Sequence, residues 1–448
     1  MEISLLKKSL LKGLLVCFLA FMVSALSAES AKYIFLMIGD GMGVNQRKAT
    51  EKYLNASGKG LVMEKFPYSG LTVTDSLSGV TDSAAGGTAI ACGFKTKNGM
   101  LGILPDGKHL QSIAEYAKDK GMKIGIITSD HINGATPAAF YAHADARKRY
   151  SETASFMPQS EFDFFAGNKI LTDKQENDST RALAEKGYKI IRDFKDLNVS
   201  EKGKSFLITS MPLAIDEKNN DGVRLKDILG KAIEILDNEK GFFIMLEGAK
   251  IDWSGHNNDL ASGAKELVDF DNAVKTAYEF YQKNPSDTLI VVTADHETGG
   301  LQLSDNISKL PDSVNSQKCS KLTMHAVLEK YKKEKKSFED VLKKLEEFFD
   351  LKDLNDSEMT SVRQAYNIYM DNKVEDKRPE EVKKMYGNKN PLIYVCSKMA
   401  DEKGGYKWTL PNHSMAKVKT SAVGVGAELF NQEMDNTQIP ANIKKIMK

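Results

Sequence analysis

Asp295 and His296 stand side by side directly after the apolar run Leu289 to Ala294, so a carboxylate and an imidazole are delivered together at a strand's end. Oxygen and nitrogen donors presented in this way are the ligands of a metal site. Other segments offer the same chemistry. Asp40 follows the run Tyr33 to Ile38, Glu247 follows Phe242 to Leu246, and Asp252 and His256 form a D-x-x-x-H pair just beyond. A spacing of four puts that pair on one face if the segment turns helically. With His413 far downstream, these are the parts of a multi-metal hydrolase.

Asp82 and Ser83 open the small-residue stretch T-D-S-A-A-G-G-T-A, which reads as a helix start. The plainer reading is an Asp-Ser cap on a tightly packed helix. The chemical reading is a serine at helix amides that favour a bound phosphate, activated by a neighbouring zinc ion and needing no histidine base. Thr136, in Gly134-Ala135-Thr136-Pro137, precedes a possible helix carrying Arg147. Thr136 as a helix cap and Arg147 as a surface charge are the ordinary alternatives. Only a guanidinium, however, offers a fixed planar fork for two phosphate oxygens. Gly39-Asp40-Gly41-Met42-Gly43 is not a dinucleotide loop, because Val44 stands where the fingerprint requires glycine. Its glycines let the chain turn sharply and bring Asp40 close to a ligand.

The elements that must hold these groups alternate between strand and helix signals, which implies a mostly parallel sheet covered on both faces. Strands are expected at Tyr33 to Ile38, Lys123 to Thr128, Phe242 to Leu246 and Thr288 to Ala294. Helices are expected at Leu110 to Lys120, Leu225 to Leu236 and Glu266 to Tyr281. In an open sheet of this class, ligands gather at the carboxyl ends of the strands. Between Leu301 and Leu410 the composition turns rich in Lys and Glu, with helices expected from Ser337 and over Ser357 to Met370. This stretch separates His296 from His413 and reads as an insertion or cap, leaving 29–300 and 411–448 as the main α/β domain.

The 448 residues can bury a large core, and a formal charge of +1 gives no global pull toward nucleic acid or an anionic membrane. Lys7, Lys8 and Lys12, the apolar run Gly13 to Ala25, and Ser27-Ala28 have the layout of a secretory signal spanning 1–28. Val16 before Cys17 argues against lipidation. The mature chain then holds Cys92, Cys319 and Cys396; Cys92 is expected as a buried thiol, and the other two could pair in an oxidising compartment.

Taken in order, G-D-G-M-G at 39–43, T-D-S-A-A-G-G-T-A at 81–89, A-T-P-A at 135–138 followed by Arg147, E-G-A-K-I-D-W-S-G-H at 247–256, T-A-D-H at 293–296, and His413 resemble the alkaline phosphatase family. The resemblance covers the chain from Tyr33 to about Phe430. It implies a dimeric, three-layer α/β sandwich with an inserted helical cap, acting in the periplasm or outside the cell on small phosphate monoesters. It assigns one Zn2+ to Asp252, His256 and His413, and a second to Asp40, Asp295 and His296 with Ser83. Mg2+ is assigned to Asp40, Thr136 and Glu247. Ser83 becomes the nucleophile that carries a phosphoserine, Arg147 the phosphate clamp, and Asp82 the group that orients Arg147. Two positions depart from common patterns: Gly134 where many members have Asp or His, and Trp253 where many have Lys or His. A phosphodiesterase of the same superfamily would share the zinc ligands but need room for a second ester group. An exported, non-catalytic metal- or phosphate-binding protein is the alternative from another class. A sulfatase lacks its maturation motif here.

Overall fold

The computed structural model describes residues 30–172, 177–217, 222–351, 353–371, 380–387 and 389–448. The expected secretory signal at 1–28 lies outside the described residues. Among them, no helix is long and apolar enough to cross a membrane.

Strand Tyr33–Gly39 is the centre of the molecule. All seven of its residues are buried, and they alternate between two cores: Ile34, Leu36 and Ile38 face one, Tyr33, Phe35 and Met37 the other. A strand buried on both faces has no polar side, hence its continuous apolar sequence. It pairs in parallel with Phe242–Gly248 on one side and Thr288–Thr293 on the other, and Phe242–Gly248 pairs in turn with Lys123–His131. These four adjacent strands form the middle of a ten-stranded sheet. Phe164–Asn168, Ser205–Ile208 and Lys189–Ile191 extend it in parallel, and Val418–Gly424 runs antiparallel between Thr288–Thr293 and Tyr68–Val73. The fold is therefore α/β with a mixed, mostly parallel sheet.

Helices close both faces. Helix Ser83–Cys92 and helix Ile113–Asp119 pack on the face of Ile34, while Leu225–Leu236 and the long helix Leu260–Lys283 pack on the face of Phe35. Each fully buried Leu, Ile or Phe in these layers contributes about 1.5–3 kcal/mol. The Ile113 helix begins later than its apolar pattern suggests because Ser112 caps it, in a reciprocal box with Glu115.

Strand Leu301–Leu303 pairs antiparallel with Tyr406–Trp408, so the chain leaves and returns at one place. Between them, helices Lys321–Lys333, Phe338–Phe349, Asp356–Met370 and Pro391–Gly404 share a hydrophobic cluster of their own around Leu328, Leu345, Val362 and Leu392. Ser337 caps the second of these by accepting from the Asp340 amide. No disulfide joins Cys319 to Cys396: the latter is a buried thiol, pushed up to about 12 by desolvation. Cys92 is likewise buried.

Candidate active site

Four parallel strands end on one edge with their registers aligned, Ile38 beside Glu247 and Thr293, and Thr128 beside Glu247. Asp40 and the Asp295-His296 pair begin two residues beyond Ile38 and Thr293, so the sheet itself collects them. Gly41 makes this approach possible. Its φ of 70° is a left-handed turn, and a Cβ there would sit 2.9 Å from the Asp252 backbone. Gly86 does the same for the serine helix, since a Cβ would lie 2.9 Å from the Asp295 carbonyl oxygen.

Two clusters result. Asp40, Asp295 and His296 are all buried and form one; Asp252, His256 and His413 form the other. In the first, His296 Nε2 lies 3.5 Å from Asp40 Oδ1, 3.3 Å from Asp295 Oδ2 and 3.2 Å from Ser83 Oγ. In the second, helix Lys250–His256 puts Asp252 Oδ2 3.4 Å from His256 Nε2, as the spacing of four predicts, and His413 Nε2 is 3.6 Å from Asp252 Oδ1.

The donor atoms fit metal ions. His413 Nδ1 lies 2.8 Å from the Thr81 carbonyl and His256 Nδ1 2.9 Å from that of Pro411. A carbonyl only accepts, so each Nδ1 carries its ring's proton and each Nε2 exposes a lone pair. These two nitrogens face each other at 3.1 Å, a contact that calls for a cation between them. Asp40 Oδ1 and Asp295 Oδ2 are buried without a hydrogen-bond partner. Burial, then the charges of Asp295, Asp252 and Glu247, holds the Asp40 carboxyl far above the usual range. Burial also raises Asp295 and, with His413 nearby, depresses His296 well below an ordinary imidazole. Such a concentration of buried carboxylates costs several kcal/mol per ion unless a counter-charge is supplied.

An all-oxygen set adjoins the first cluster. Thr136 Oγ1 donates to Asp40 Oδ2 at 3.4 Å, and Glu247 accepts from Thr128 Oγ1. Burial pushes Glu247 up to about 8, and the nearby Asp130 and Asp295 charges add to this. Gly134 contributes nothing here beyond its backbone, and a Cβ on it would stand 2.9 Å from the His131 carbonyl.

Ser83 is the first residue of its helix, and Asp82 is the cap, accepting from the Ala85 amide at 3.0 Å. Asp82 Oδ2 also lies 3.4 Å from an Arg147 terminal nitrogen, so the carboxylate that caps the helix also pairs with the guanidinium. Arg147 is not on a helix, contrary to expectation. The helix after Gly134 is only Ala135–Ala138; Arg147 sits in a later turn, its amide donating to the Gly99 carbonyl at 2.6 Å. Ser83, Asp82, Arg147, Asp252, His256 and His413 line one open cavity of about 570 Å³. Trp253 is exposed and does not line it.

A model of the alkaline phosphatase family matches residues 31–180 and 154–448. The chain is 30% identical to alkaline phosphatase 3 of Bacillus subtilis over 94% of its own length and 89% of that protein's. The chain belongs to the alkaline phosphatase family. It is a phosphatase, in a family that works with bound metal. Its fold is similar to the cold-active alkaline phosphatase of a Shewanella species, with a TM-score of 0.77 and 28% identity over 93% of this chain and all of that one. It is also similar to a variant of the alkaline phosphatase from the Antarctic bacterium TAB5 with magnesium bound, with a TM-score of 0.66 and 26% identity over 94% and 99% of the two chains.

Sequence reasoning missed the residues that aim the ligands. Thr298 Oγ1 donates to Asp252 Oδ1 at 2.5 Å and lies 3.2 Å from His296 Nδ1, so one hydroxyl orients a donor in each cluster. The only clue was its place two residues after His296. Thr298→Val is expected to weaken metal binding about 10–100-fold, read by titration against a competing chelator. Unchanged affinity would show that packing alone orients both donors.

Proposed function

We propose that this phosphatase hydrolyses phosphate monoesters to an alcohol and inorganic phosphate through a phosphoserine on Ser83. The observation that carries the proposal is the place of Ser83 Oγ, at a helix N-terminus, 3.2 Å from His296 Nε2, in a cavity shared with Arg147. When bound, two zinc ions, held by Asp40, Asp295 and His296 with Ser83 and by Asp252, His256 and His413, supply Lewis acidity that favours the serine alkoxide and the charge on the leaving oxygen. Asp40, Thr136 and Glu247 suit magnesium, being all oxygen, and magnesium is bound in the TAB5 variant.

Ser83 Oγ attacks phosphorus as the bond to the alcohol oxygen breaks, and the alcohol leaves with a proton. Water then attacks the phosphoserine, releasing phosphate and restoring the hydroxyl. Two in-line displacements give retention at phosphorus. Arg147 grips two phosphate oxygens, and Asp82 fixes its orientation. Hydrolysis of p-nitrophenyl phosphate, lost with chelator and restored by zinc and magnesium, tests the reading. No turnover in the metal-replete protein would instead favour a binding role.

Arg147→Lys keeps the charge and loses the fork. A charged hydrogen bond contributes about 1.5–3 kcal/mol, and the partial exposure of Arg147 puts the effect at the lower end. The expected result is a loss of about tenfold in kcat/KM with weaker inhibition by phosphate. Equal kinetics would remove Arg147 from the site.

The same reading places the protein in the periplasm or outside the cell as a homodimer, with 301–410 as a cap inserted into the catalytic domain. The paired strands at the two ends of that excursion support the last point.

A further inference from the structure

A second cavity of about 1280 Å³ lies between the catalytic domain and the helices of 301–410, and it shares two wall residues with the catalytic cavity, His256 and Asn412. The two spaces meet at these residues. An in-line displacement sends the leaving oxygen away from the attacking atom. Ser83 Oγ stands by His296, and Asp252, His256 and His413 wall the same cavity, with His256 at its junction with the larger one. A departing alcohol that extends past His256 enters the larger cavity.

The chemistry of that cavity is cationic. Among the described residues, six lysines and three acids line it. Two of the ammonium groups are anchored just beyond the junction, on a single residue. Lys321 Nζ donates to the Asn258 carbonyl at 2.5 Å, and Lys389 Nζ donates to Asn258 Oδ1. Asn258 is two positions after His256 and is itself fixed by bonds from its amide nitrogen to the Gly255 and Leu410 carbonyls. Lys321 is buried, and desolvation with the neighbouring Lys321 charge lowers the affinity of Lys389 for its proton against the pull of Asp401, one carboxylate facing two ammonium groups. Cations crowded together in a partly dehydrated wall favour an anion beside them.

We propose that this cavity is a subsite for the alcohol part of the substrate, and that it selects phosphate monoesters whose alcohol carries a second anionic group, a phosphate or a carboxylate. The proposal rests on the phosphomonoesterase reading above and adds substrate preference to it. The reacting end of the alcohol, beside Asp252, His256 and His413, makes little demand on identity; the lysines make the demand further out.

The test compares hexyl phosphate with hexane-1,6-diyl bisphosphate, which differ only by the distal phosphate. At low ionic strength the bisphosphate is expected to exceed hexyl phosphate about tenfold in kcat/KM, beyond the twofold advantage of having two equivalent ends. High salt should erase most of the difference. In Lys389→Met, which keeps an unbranched stem but no charge, the ratio is expected to fall toward the statistical value. Calorimetric binding of both compounds to Ser83→Ala protein separates the subsite from the chemistry. If the parent hydrolyses neither ester, the phosphomonoesterase reading fails, and tighter binding of the bisphosphate still supports the subsite. If hexyl phosphate is turned over but the distal phosphate changes neither kcat/KM nor binding, the subsite proposal is overturned. A bisphosphate preference that survives Lys389→Met at full size overturns its assignment to this wall.

Discussion

Replacing Ser83 with alanine is expected to lower turnover of p-nitrophenyl phosphate by about three decades or more, because it removes the nucleophile and leaves only binding and charge stabilisation. Alanine is small and well tolerated at the start of a helix in which Asp82, and not Ser83, makes the cap. The variant should therefore fold and still bind phosphate. Acid quenching of the parent during turnover of labelled substrate should leave the label on Ser83. Near-normal activity in Ser83→Ala, or label found elsewhere, would rule out the covalent route.

Metal removal is expected to abolish activity and also to change how stability depends on pH. Without a counter-cation, Glu247 has a folded-state value of about 8 against an ordinary 4.5, and Asp40 is raised as well. A carboxyl raised on folding keeps its proton in the native chain after the unfolded chain has lost it, so the unfolded state binds fewer protons across that window. Stability then falls as pH rises from about 4.5 toward about 8. Bound divalent ions relieve the repulsion and stabilise the folded state by mass action. The measurement is Tm for chelated and metal-replete protein at pH 5 and pH 8. The chelated protein should lose more Tm between the two than the loaded one. Parallel slopes would mean that these carboxyls are not neutralised by metal. Glu266, pushed up to about 7 by burial away from the clusters, contributes to both slopes alike and cancels in the comparison.

The four strand runs visible in the sequence are the four adjacent central strands, and the reason is physical. They are buried on both faces and so read as unbroken apolar stretches. Val418–Gly424 escaped notice because its buried Thr420 and Ser421 look like surface residues. Thr420 is satisfied by Thr72 and Thr293, and Ser421 by the buried Arg47. Lys189–Ile191 and Ser205–Ile208 are too short to show a period. The two clusters were legible because carboxylates and imidazoles at strand ends lack an ordinary explanation when taken together. Thr298 and Thr128 were not, since a hydroxyl that aims a ligand has the same sequence signature as any turn threonine. Arg147 was expected on a helix because Ala135–Ala138 looked like the start of a longer one, and nothing in its composition marked the end.

His413 is tied to Thr298, and Ser414 to Glu297, in a two-residue antiparallel ladder, and the His413 ring stacks on His296 at 3.6 Å. Together with the pairing of Leu301–Leu303 to Tyr406–Trp408, this gives the excursion two successive clasps at its root. Whatever lies between the clasps can lengthen, shrink or be exchanged at a cost that grows only slowly with length, while the last imidazole stays in place. The hydrolytic machinery and the helices above it are thus free to diversify on separate schedules, one tool handle accepting different heads.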